Sequence, residues 1–94
     1  MITLEWTGVA REDYLSLLGA AYERSVDSAL DLDDKMEALL GNLRRFRHFC
    51  PPSRHFPKFR RCIVTRYISL VYEVGEQSIT IISIFDTRSR NPFV

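Results

Sequence analysis

Apolar and polar positions along this chain repeat at about 3.6 residues in its first half and at 2 after Lys58. The stretch Ile2-Thr3-Leu4-Glu5-Trp6 already alternates, which predicts a short, half-buried strand. Thr7 is then placed to cap a helix running to about Glu23. Its apolar positions Val9, Tyr14, Leu17, Leu18, Ala21 and Tyr22 share one face. A turn is expected over Ser25 to Asp27, with Asp27 accepting the free N–H groups of a second helix. That helix places Leu32, Met36, Leu39, Leu40, Leu43 and Phe46 three and four residues apart. Asp31, Asp33 and Asp34 in its early turns and Arg44, Arg45 and Arg47 in its last suit the helix dipole. Pro51-Pro52 cannot continue it.

Beyond a loop from Cys50 to Lys58, three strands are predicted: Arg61 to Thr65, Tyr67 to Val74 and Ser78 to Thr87. The second has Ile68, Leu70, Tyr72 and Val74 on one face and Tyr67, Ser69, Val71 and Glu73 on the other. Gly75-Glu76-Gln77 is short enough for a hairpin loop. In the last strand Ile79 and Ile81 point opposite to Ile82 and Ile84, so it is apolar on both faces and expected inside the sheet. The predicted fold class is α+β, in the order β-α-α-β-β-β, with a helical hairpin packed on a mainly antiparallel sheet.

At 94 residues, a single domain spanning 1–94 is expected. A hydrophobic content of 46% with few Gly or Pro excludes a disordered or collagen-like chain. The most apolar window, Ile79 to Phe85, is far too short to span a bilayer, so no membrane association is expected. Met1 to Thr7 carries Glu5 and no basic stretch ahead of an apolar run, unlike a signal peptide. Two cysteines, Cys50 and Cys62, are too few for a disulfide framework and, with no export signal, are read as reduced thiols; these absences together imply a cytoplasmic protein.

Charge changes the picture more. Through Leu43 there are nine acidic residues against three basic; from Arg44 onward there are ten basic against three acidic, for a net +1. Nine of those ten bases are Arg, the side chain suited to bidentate contact with phosphate or carboxylate. The basic half therefore invites an anionic partner.

The C-terminal third carries a resemblance. Arg61-Cys62-Ile63-Val64, then Leu70-Val71-Tyr72-Glu73-Val74, then Ser78-Ile79-Thr80-Ile81-Ile82-Ser83-Ile84, and Phe85-Asp86-Thr87-Arg88 ahead of Asn91-Pro92 resemble toxins of the RelE/ParE superfamily, the ParE-like members above all. Trp6-Thr7, Ala10 and Asp13-Tyr14-Leu15 are similar to the opening of that family, and Ser25 to Ala29 fits its entry to the second helix. The segment Arg47 to Lys58, with its double proline and paired aromatics, departs from the pattern. The resemblance implies a toxin of a type II toxin–antitoxin pair, neutralised by a cognate ParD-like antitoxin. A dimeric antitoxin would give a hetero-oligomer. ParE-type members poison DNA gyrase, whereas RelE-type members cleave mRNA on the ribosome, and fold alone does not choose between them.

The chemistry of the residues does discriminate. Metal-free RNA cleavage needs cations for the developing charge and a proton donor for the leaving oxygen. Arg61 and Arg88 could supply the first and Tyr67 the second, while Asp86 is placed to pair with Arg88. RelE-type nucleases commonly carry Tyr or His near the C-terminus, where this chain has Phe93, and Tyr72 shares a face with core residues. This favours a gyrase inhibitor over an enzyme. Arg60, Arg61, Arg66, Asp86, Arg88, Arg90 and Phe93 are the candidate target- or antitoxin-binding residues, with Arg54 and Lys58 adding to the basic surface. Leu18, Tyr22, Met36, Leu40 and Leu43 are candidates for an antitoxin groove on the hairpin. His48, Cys50, His55 and Cys62 lack the spacing of a zinc site, so neither metal nor cofactor is expected.

Overall fold

A computed structural model describes residues 2–93. Its elements are β1 (Thr3–Trp6), α1 (Gly8–Arg24), α2 (Val26–Arg45), β2 (Arg60–Thr65), β3 (Ile68–Val74) and β4 (Ser78–Asp86). The order is the β-α-α-β-β-β expected. The sheet runs β1-β4-β3-β2, with β1 parallel to β4 and the other neighbours antiparallel. β4 lies inside it, as a strand apolar on both faces should.

Capping residues position the helices. Thr7 has the extended backbone a cap needs, at φ −71° and ψ 159°. Its hydroxyl accepts the Ala10 N–H at 3.0 Å and donates to the Ile82 carbonyl at 3.1 Å, so one side chain starts α1 and ties it to β4. The second cap corrects the expectation: it is Ser25, not Asp27. Ser25 is extended, at φ −173° and ψ 157°. Its N–H donates to the Ala21 carbonyl at 3.1 Å, closing α1, and its Oγ accepts the Ser28 N–H at 3.0 Å, opening α2. Asp27 falls inside the first turn, where its charge favours the helix N-terminus.

α2 supplies the hairpin's share of the core through Leu32, Met36, Leu39, Leu40 and Leu43. These pack on the sheet face formed by Cys62, Val64, Leu70, Tyr72, Ile79, Ile81 and Ile84. α1 buries only Ala10 and Ala21 fully, with Tyr14, Leu17 and Leu18 partly covered.

One face assignment is corrected. Val71 pairs with Ser83 but Tyr72 pairs with Ile81, so Ile82 is an extra residue and β4 bulges there. The bulge resets the alternation, and Ile84 joins Ile79 and Ile81 on the core face. The Ile82 carbonyl at the bulge is the one that Thr7 binds.

A second correction concerns the cysteines. Cys50 and Cys62 form a disulfide with Cα atoms 5.3 Å apart, so they are not the free thiols expected. Their proximity follows from backbone pairing along the outer edge of β2. The Arg61 N–H donates to the Pro51 carbonyl at 3.0 Å, Pro52 bridges Arg60, and the Ser53 N–H donates to the Phe59 carbonyl at 2.7 Å. This ladder sets Cys50 opposite Cys62 as a non-hydrogen-bonded antiparallel pair, where side chains come closest. Among the described residues no helix is long and apolar enough to cross a membrane.

Candidate functional site

The sheet face away from the helices carries Arg61, Ser69, Val71 and Phe85, since Arg61 pairs with Val71 and Ser69 with Phe85. The C-terminal segment crosses this face. Ser89 turns back through its N–H and Oγ, both donating to the Asp86 carbonyl, and the Asn91 side chain accepts the Phe93 N–H at 2.9 Å. Phe93 settles among Phe56, Phe59 and Phe85, with ring centroids 5.2, 5.8 and 6.2 Å away. Arg61 lies under it. Its Nη1 donates to the Phe93 carbonyl at 2.9 Å, its Nε donates to Ser69 Oγ at 3.3 Å, and its guanidinium stands 5.4 Å from the Phe85 ring.

A second group gathers where the β2–β3 turn meets the end of β4, because the Thr87 N–H donates to the Tyr67 carbonyl at 2.7 Å. Arg88 grips Asp86 with two side-chain bonds, Nε to Oδ1 at 3.0 Å and Nη2 to Oδ2 at 2.7 Å, and with its backbone N–H at 2.8 Å. These Arg88 hydrogen bonds, aided by its charge, pull the Asp86 carboxyl down to about 2. The same pairing raises the Arg88 guanidinium above its ordinary value. The guanidiniums of Arg88 and Arg66 stand 4.1 and 5.2 Å from the Tyr67 ring. Arg24 at the end of α1 joins Tyr67, Asp86 and Arg88 around a cleft of about 390 Å³.

The basic set is therefore divided. Arg66 and Arg88 are exposed together at Tyr67, and Arg90 is exposed in the tail. Arg61 is half-buried beneath the tail. Arg60 holds the loop, donating to the Cys50 carbonyl at 2.6 Å, and Lys58 pairs with Glu73 at 3.5 Å. Tyr72 is on the opposite, helix-covered face. Its buried hydroxyl donates to the Arg47 carbonyl at 2.8 Å and accepts the Cys50 N–H at 3.3 Å, and burial pushes its pKa up.

The hairpin groove differs from the one expected. Met36, Leu40 and Leu43 are 1%, 4% and 0% exposed and belong to the core, because α2 turns that stripe onto the sheet. The open groove, about 500 Å³, is lined by Leu15, Leu18, Gly19, Tyr22, Ala29 and Leu30, with Glu23 and Asp33 beside them. Leu15, Tyr22 and Leu30 are 62%, 63% and 57% exposed, an apolar strip of the kind that marks a binding surface. Leu15 and Leu30 were not among the sequence candidates, although Leu15 is one residue from Tyr14 and turns outward with Leu18 and Tyr22. Among the described residues, no group of three His, Cys, Asp or Glu side chains is arranged to hold a metal.

A family profile described as "ParE toxin of type II toxin-antitoxin system, parDE" matches residues 4–91. No match was found among curated protein sequences. The fold is similar to a chain of the chromosomal ParDE system from P. aeruginosa, at 20% identity and TM-score 0.73, covering 92% of this chain and 96% of that one. It is also similar to the YoeB/ParE toxin from Agrobacterium tumefaciens, at 18% identity and TM-score 0.66 over 89% and 96% of the two chains. YafQ from E. coli superposes with TM-score 0.65 at 14% identity, over 94% and 96%.

Proposed function

The chain belongs to the ParE toxin family of type II toxin–antitoxin systems, within the RelE/ParE superfamily, and on that premise we propose that it poisons DNA gyrase by binding, with no covalent chemistry of its own. The observation that carries this reading is the company Arg61 keeps. An RNA-cleaving site needs a proton donor beside its cations. Arg61 has Ser69, Phe85 and Phe93 around it, and Phe93 has no proton to give. The Tyr72 hydroxyl is spent on the other face, and Tyr67 lies at the turn with Arg66 and Arg88. The exposed Arg66, Arg88 and Arg90 form the target-facing end, and Arg61 joins them when the tail moves.

A ParD-like antitoxin, dimeric and so forming a hetero-oligomer, neutralises the toxin in this reading. Its toxin-binding segment fits the hairpin groove as an amphipathic helix, with apolar side chains on Leu15, Leu18, Tyr22 and Leu30 and basic ones toward Glu23 and Asp33. Both partners act in the cytoplasm. A supercoiling assay with purified gyrase and antitoxin-free toxin tests the proposal. Inhibition that the antitoxin reverses is expected, and undiminished supercoiling at high toxin excess would refute it. The alternative, an mRNA interferase at the ribosome, draws on Arg61, Arg88 and Tyr67. It requires mRNA ends that disappear in Arg61→Ala and Arg88→Ala variants.

A further inference from the structure

We propose that the Cys50–Cys62 pair is a thiol–disulfide switch that decides whether the C-terminal segment stays closed over Arg61. The proposal rests on Arg61 belonging to the target-facing surface, and it adds a control over that surface.

Every link is a contact. Cys62 is the chain neighbour of Arg61 on β2, and the disulfide joins it to Cys50, where the loop to β2 begins. That loop brings Phe56 and Phe59 against Phe93, and Phe93 in turn gives its carbonyl to Arg61. The loop's ends are tied down at Cys50 by Tyr72 and Arg60 and at Pro51 and Ser53 by pairing with β2, but its middle has no such ties among the described residues. Pro51 and Pro52 donate no backbone hydrogen bond, and residues 54–58 are exposed. The Ser53 hydroxyl is buried with no hydrogen-bond partner among the described residues, so closing the loop leaves a polar group unsatisfied. The covalent bond offsets that penalty by keeping the loop's ends together.

The switching chemistry is exchange with a dithiol. The reductant's thiolate attacks Cys50, the more exposed of the two sulfurs' residues, and Cys62 leaves as a thiolate. The reductant's second thiol then resolves the mixed disulfide. The S–S bond of the chain is broken, two thiols form on it, and the dithiol leaves as a disulfide carrying the two electrons' worth of oxidation. Both cysteines are buried, so exchange proceeds through opening of residues 51–59. Once reduced, the loop opens repeatedly, Phe93 loses its clasp, and Arg61 is uncovered.

Limited trypsin digestion of the oxidised toxin and of toxin reduced with a small dithiol tests this, followed by mass spectrometry. Cleavage after Arg54, Lys58, Arg88 and Arg90 should speed up about tenfold or more on reduction, while cleavage after Lys35 and Arg44 in α2 stays slow. Phe93→Ala in the oxidised protein should speed up only Arg88 and Arg90. A Cys50→Ser/Cys62→Ser protein should match the reduced wild type; if it does not fold, the wild-type comparison stands alone. A disulfide that resists the dithiol, tail cleavage unmoved by reduction, or acceleration at every site would each overturn the switch. Gyrase supercoiling is scored separately, so redox-dependent cleavage without gyrase inhibition sinks the gyrase reading and leaves the switch intact.

Discussion

Replacing Tyr72 by Phe removes one oxygen atom from the densest part of the molecule and leaves its shape unchanged. The residue is 0% exposed and would keep its place in the core cluster. What is lost is the only described partner of the Arg47 carbonyl, at 2.8 Å, and of the Cys50 N–H, at 3.3 Å. A buried polar group left unsatisfied costs about 1–3 kcal/mol. The 2.8 Å bond to Arg47 is therefore assigned about 1.5 kcal/mol, and the longer Cys50 contact about 0.5 kcal/mol, a total near 2 kcal/mol. For a domain of this size that corresponds to a fall in Tm of roughly 8–16 °C. Urea unfolding followed by circular dichroism should show a lower midpoint with an unchanged slope. Tyr14→Phe is the control, because its hydroxyl bond to Asp33 is exposed to solvent and should be worth a few tenths of a kcal/mol. A Tyr72→Phe protein within about 0.5 kcal/mol of wild type would show that water replaces the hydroxyl, and the loop anchor argued from it would be wrong.

Four further outcomes are expected. Thr7→Ala removes both the α1 cap and the part-buried bond to the Ile82 carbonyl, and should destabilise by about 1–2 kcal/mol in equilibrium unfolding, more than Ser25→Ala, which loses a cap and an exposed bond to Ser28 Oγ. Leu43→Ala opens a core cavity and should cost about 2–5 kcal/mol. Leu15→Ala, at an exposed position in the groove, should leave Tm unchanged while weakening antitoxin binding about tenfold or more in calorimetry. Asp86 sits at about 2 when folded against 3.8 ordinarily, so its pairing with Arg88 stabilises the fold above pH 4 and is lost as pH falls through 2. Unfolding measured between those limits should therefore fall less steeply in Asp86→Asn than in wild type; identical pH profiles would contradict the pairing.

Most of the element order was legible because the hydrophobic period is strong and Thr7, Pro51 and Gly75 punctuate it clearly. The failures have separate physical origins. The bulge at Ile82 depends on where β3 and the Thr7 hydroxyl meet β4, and neither partner is visible in a run of alternating isoleucines. Ser25 and Asp27 are both good caps by residue type, and only the backbone angle between the helices chooses Ser25. The disulfide needs residues 50–53 to fold back along β2, a pairing that two prolines disguise as a plain loop. In the groove, periodicity identified apolar faces of both helices but could not say which part the sheet would cover, so Met36, Leu40 and Leu43 were misplaced and Leu15 and Leu30 overlooked. Asp86 and Arg88 were readable as a pair from their two-residue spacing, although β4 ends at Asp86 and Arg88 lies in the turn beyond it; the tail's hold on Arg61 was not, because Phe93 looks like an ordinary terminal aromatic.

The folded-back segment along β2 also governs how this sheet can grow. A partner that joins by strand addition needs a row of unused N–H and C=O groups. Beside β2 that slot is filled by the chain itself, and the outward row it then presents is blunt. Pro52 has no N–H to offer, the Cys50 N–H is given to Tyr72, and the Cys50 carbonyl is taken by Arg60. At the other margin β1 pairs only with β4 among the described residues, leaving its outer side open over four residues. An incoming strand would have to lie beside Thr3–Trp6, and Trp6 shares a hollow with Arg11, Tyr14 and Leu15 of α1, so a partner that combines a strand with a helix would meet β1 and α1 across that hollow.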